Sequence, residues 1–198
     1  MKFMKLSLIT LVTLALAVGC TSAAQTPSVS QTDFDKLSAR VVELAGENAQ
    51  LQAEITGLED HNAVEKVANN LFIQTDNMDW DALVSDVFTE SVYFDMTSVG
   101  GTAGDVTSQS IVDGWEQGFA AIEAVQHQSG NMQVEVEGDT ATIFQYGTAT
   151  QYATTASGNN TRTFFGTYSI GLVKQDDTWK VNAFAFNLKM MDGNVSFE

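Results

Sequence analysis

The chain has 198 residues, enough for one ordinary core plus accessory segments. Nine basic against 25 acidic residues give a net charge of -16, which repels nucleic-acid phosphates and excludes nucleic acid as a partner class. The single cysteine, Cys20, excludes an intramolecular disulfide and a thiolate metal cluster.

Lys2 and Lys5 precede an uncharged, mostly apolar run from Leu6 to Val18, the layout of an export signal and short for a bilayer span. The run ends in Leu16-Ala17-Val18-Gly19-Cys20, which resembles the lipobox of bacterial lipoproteins. That resemblance implies a signal peptide over 1–19 and a lipidated, palmitate-bearing Cys20. It places the protein in the bacterial cell envelope. Thr21 after the cysteine points to the outer membrane, on its periplasmic or surface face, in a Gram-negative host.

Residues 20–32 carry small side chains and the only proline and are predicted to be a flexible tether. Over 33–58, Phe34, Leu37, Val41, Leu44, Asn48, Leu51, Ile55 and Leu58 step by three and four, the a/d pattern of a coiled coil. Asn48 at an a position sets register in a parallel dimer or trimer, so a homo-oligomer through residues 34–58 is expected. Gly46 and Gly57 weaken this helix, and the stalk is expected to end near Gly57. The same pattern also fits an amphipathic helix packed on its own domain.

The folded domain is placed at 59–198. Val64, Val67, Ala68, Leu71 and Phe72 mark one helical stripe, and Asp79 is positioned to cap a second helix containing Trp80, Leu83, Val84 and Val87. Tyr93 opens a strand running to about Thr97. The glycine-rich SVGGTAGDVTS reads as a mobile loop, without the lysine of a phosphate cradle. A third helix, capped by Ser108, spans about 109–124, with Ile111, Trp115, Phe119 and Ile122 apolar. Four strands follow at about 125–137, 140–155, 161–174 and 178–190, joined by short turn-forming links that make them antiparallel. The fold class is α+β, a cone-shaped curved antiparallel sheet packed by three helices.

Only two histidines are present. His61, at the polar stalk–domain junction, reads as solvated. His127 shares a strand face with Val125 and Ser129, a pattern that fits a hydrogen-bonded core histidine as well as a functional one.

QTDNMDWD, the FDMTS strand end, the Gln126-His127 pair and DDTWKV, in that order and spacing, resemble the SnoaL-like, nuclear transport factor 2-like superfamily near scytalone dehydratase, over about residues 59–192. The resemblance implies that Asp76 hydrogen-bonds His127 and that His127 moves substrate protons inside the cone. A carboxylate there fixes the imidazole tautomer and leaves the other nitrogen as acid or base near neutral pH. Thr75 and Met96 stand where the dehydratase has tyrosines, Gln151 replaces a second histidine, and Gly166 and Tyr168 replace a serine and an asparagine. These departures point away from that enzyme's own substrate. Phe94, Met96, Trp115 and Phe119 are expected to wall an apolar cavity, with Gln151 and Tyr168 holding a ligand oxygen. Neither histidine has ligand-spaced partners, so the expected chemistry on a small, largely apolar molecule uses neither metal nor cofactor.

Overall fold

The computed structural model describes residues 29–198. The export-type run, Cys20 and the tether up to residue 28 lie outside the described residues. Two units are distinguished along the chain, Met1–Glu47 and Asn48–Glu198.

In the first unit helix α1, Gln31–Asp76, begins. Ser30 Oγ accepts the Asp33 N–H at 3.1 Å and donates to the Asp33 carboxylate at 2.7 Å, a reciprocal cap that starts the helix two residues inside the predicted tether. Phe34, Leu37, Val41 and Leu44 are exposed.

The helix passes through Gly57 without a break. An interior glycine costs roughly 1 kcal/mol, too little to break a helix with strong formers on both sides. Leu51, Ile55 and Leu58 are exposed, whereas Val64, Ala68, Leu71, Phe72 and Thr75 are buried. Asp60 lies between these stretches. Lys174 Nζ and Trp179 Nε1 donate to its carboxylate at 2.7 and 2.9 Å, pinning the helix to two strands. No described helix is long and apolar enough to cross a membrane.

Short helix α2, Trp80–Ala82, is capped by Asp79 as predicted and continues into a π-helical turn, Leu83–Val87. Strand β1, Phe88–Asp95, begins earlier than predicted because Phe88 and Val92 are both core residues. The predicted mobile loop is structured instead. A 3-10 turn, Thr97–Val99, closes on Gly100 in the left-handed region, and Ala103–Thr107 forms strand β2 paired with β1. Helix α3 is Ser108–Gly118, shorter than predicted, and Thr107 caps it in place of Ser108.

The four remaining strands are β3 (Ala124–Glu137), β4 (Thr140–Tyr152), β5 (Thr161–Gln175) and β6 (Thr178–Gly193). The order is β2-β1-β6-β5-β4-β3 in one curved open sheet. β1 pairs with β6 in parallel, the one departure from an antiparallel sheet. Between β5 and β6, Asp176 and Asp177 both have positive φ, the backbone a tight two-residue hairpin demands. The core includes Leu71, Leu83, Phe88, Val92, Ile143, Ile170, Leu172 and Val181, each worth roughly 1.5–3 kcal/mol when fully buried.

Candidate functional site

Asp76 is the last residue of α1, whose final turn contains no basic residue. A carboxylate there opposes the helix dipole by roughly 0.3–1 kcal/mol, so a compensating contact is required. The helix end is held hard. Met78 N–H bonds the Thr75 carbonyl and Asp79 N–H the Gln74 carbonyl, a Schellman closure with Met78 at φ 55° where glycine is usual.

The compensation comes from β3, which forms one edge of the sheet. The His127 N–H reaches the Asp76 carboxylate oxygens at 2.9 and 3.1 Å, occupying a donor that no neighbouring strand takes up. His127 Nδ1 lies 2.6 Å from Asp76 Oδ1. A carboxylate only accepts, so Nδ1 carries a proton, and in the neutral imidazole the lone pair is then on Nε2. The imidazole stacks on Phe72 at 5.2 Å between centroids and meets Tyr168 edge-on at 6.4 Å. Its plane is therefore set by an ion partner and two rings.

His127 lines a cavity of about 390 Å³ between the helices and the sheet. Met96, Trp115, Phe119, Gln151 and Tyr168 line it too, joined by Leu71, Phe72, Thr75, Phe164 and Phe186. Phe94 is the exception among the predicted wall residues. Its ring stacks on Phe184 at 5.6 Å and meets Trp115 at 5.9 Å, which places it in the core and outside the lining. His61 is apart from the cavity, 3.9 Å from Glu65 on the same helix.

Tyr168 lies across the floor, its phenol pushed to a higher pKa first by burial and then by the Asp76 charge. It stays protonated at neutral pH and is a donor. The ring packs over Gly147, diagonal to it on β4, where a side chain would run into it. Arg162, absent from the sequence reading, also lines the cavity, and its Nε donates to Gln151 Oε1 at 2.7 Å. The available signal was period two, since Arg162, Phe164, Gly166 and Tyr168 alternate along one strand.

With this geometry in view, the likenesses to known proteins carry weight. No curated protein matches the sequence. The SnoaL-like domain model matches residues 56–185, which include Asp76, His127, Gln151, Arg162 and Tyr168. The Kfla4162 protein of Kribbella flavida is 17% identical with a TM-score of 0.66, covering 69% of this chain and 95% of its own. A Novosphingobium aromaticivorans protein described as a scytalone dehydratase is 17% identical, TM-score 0.61, covering 69% and 89%. The hexachlorocyclohexane dehydrochlorinase of Novosphingobium barchaimii is 13% identical, TM-score 0.59, covering 72% and 95%. At these identities the structures attest the fold alone, but the domain model spans well over half of the chain, which therefore belongs to the SnoaL-like domain family.

Proposed function

We propose that this domain carries out cofactor-free acid–base chemistry on a small, largely apolar molecule, with His127 as the proton-transferring group and Asp76 as its orienting partner. The observation that supports it most is the 2.6 Å Nδ1–carboxylate contact at the wall of an aromatic cavity. Nε2 is then the free base. In a dehydration it takes a proton from carbon as the C=C bond forms, then returns that proton to the departing hydroxyl, which leaves as water. Isomerisation returns the proton to a different carbon, and cyclisation returns it to the carbonyl oxygen that gains the electron pair as the carbanion closes the ring. The protonated Tyr168 phenol donates to the substrate oxygen, a role supported by its position in the cavity lining. The relatives described as a dehydratase and a dehydrochlorinase are consistent with proton removal from carbon.

The test uses 2-tetralone in deuterated buffer, with exchange of its acidic C–H protons followed by NMR. Exchange above the buffer rate is expected, abolished in His127→Ala and reduced by about 100-fold or more in Asp76→Asn. Equal rates in the unmodified chain and His127→Ala reject the reading in favour of a non-catalytic envelope module, in which the domain binds or serves as scaffold. Membrane anchoring through lipidated Cys20 and self-association through residues 34–58 belong to this proposal as well, the second supported by the exposed apolar stripe on α1.

A further inference from the structure

Arg162 opens β5, and the sheet register sets its neighbours. Val125, Gln151 and Arg162 form one cross-strand row, and His127, Ala149 and Phe164 form the next row on the same face, roughly 7 Å along the strands. Arg162 and His127 therefore line one cavity from strands on either side of β4, one row apart.

Its bonding is incomplete. Nε donates to Gln151 Oε1 at 2.7 Å and one terminal nitrogen to the Val195 carbonyl at 2.9 Å, two of the five N–H donors an arginine has. The face of the guanidinium lies over the Phe197 ring at 4.5 Å and the Phe164 ring at 5.4 Å. No carboxylate pairs with it among the described residues, in a chain of 25 acidic residues. Burial pushes its pKa down, the signature of desolvation without a counter-charge, yet an arginine stays cationic. A partly desolvated cation with spare donors in an apolar site is stabilised by an incoming anion.

Gln151 extends the same logic. It is buried, and its oxygen is committed to Arg162, so its Nε2 hydrogens remain as donors. Arg162 is also the only lysine or arginine among the lining residues.

We propose that Arg162 and Gln151 form an anion subsite that binds a carboxylate group of the ligand, with the ligand's apolar body against the aromatic wall. If His127 is the base proposed above, which this last step rests on, the carbon it deprotonates lies on that apolar body. The substrate class is then an aromatic or alicyclic carboxylic acid.

Two probes of one ring system separate charge from shape: 1-naphthoate and the neutral 1-naphthalenemethanol, titrated calorimetrically into the full chain at neutral pH and low salt. Naphthoate is expected to bind at least about tenfold more tightly, a difference of about 1.4 kcal/mol. Arg162→Met should erase that preference while leaving the alcohol's affinity nearly unchanged. Gln151→Glu keeps the acceptor for Arg162 but installs its own carboxylate, and should reverse the preference. This second variant decides the matter if Arg162→Met does not fold. His127→Ala should retain the preference, so the subsite is tested separately from the acid–base reading. Equal affinities for the two probes, no binding of either, or a preference that survives both Arg162→Met and Gln151→Glu would overturn the proposal.

Discussion

Asp76 holds His127 twice, at the ring Nδ1 at 2.6 Å and at the backbone N–H at 2.9 Å. One carboxylate thereby closes a free position on the β3 edge and selects the imidazole tautomer. The two residues are 51 positions apart, and only the packing of the α1 terminus against β3 brings them together.

The double contact makes Asp76→Asn a switch of tautomer more than a loss of fold. The asparagine oxygen can still accept the backbone N–H, while its amide donates to Nδ1 and moves the ring proton to Nε2. Nitrogen-15 shifts of the His127 ring should exchange their protonated and unprotonated assignments. Loss of the charge-assisted bond should cost about 1–3 kcal/mol in denaturant unfolding. Unchanged ring shifts would mean that Asp76 does not set the tautomer.

Asp60 predicts an acid-side loss of stability. The hydrogen bond from Lys174 first, then that from Trp179, lowers the Asp60 pKa below its ordinary value. A carboxyl lowered in the folded state contributes stability that is fully present above its unfolded value of about 4 and is lost as pH falls through the lowered folded value. Asp60→Asn should therefore melt at a lower temperature than the unmodified chain at pH 7, with the gap closing below about pH 4. A gap independent of pH would remove the charge from the explanation.

The exposed stripe on α1 predicts self-association. A chain beginning at Thr21 should sediment as a dimer or trimer, and Leu37→Asp with Leu44→Asp should reduce it to one chain, because charge at two d positions cannot be buried in a coiled-coil seam. A monomer before substitution would sink the prediction.

Features that depend on neighbours in the chain were legible from the residues. The buried stripe at Val64, Ala68, Leu71 and Phe72, the cap at Asp79, and β3 to β6 with their turns all follow from periodicity and turn chemistry acting over a few positions. The Asp76–His127 pair came into view through resemblance to a family, since spacing along the chain could not reveal it. β2 escaped notice because Gly100, Gly101 and Gly104 mask a short strand that pairing with β1 stabilises. Phe94 and Trp115 both looked like cavity walls, and packing put one behind the other.

The sequence by itself determined the α+β class and the residue types available for chemistry, because periodicity and side-chain identity are local properties. Only the tertiary structure decided the parallel β1–β6 pairing and the row that sets Arg162 on Gln151 in the cavity His127 lines. The reason is register: which residues meet across strands depends on how bulges and long-range packing align whole segments, and no short window of sequence contains that information.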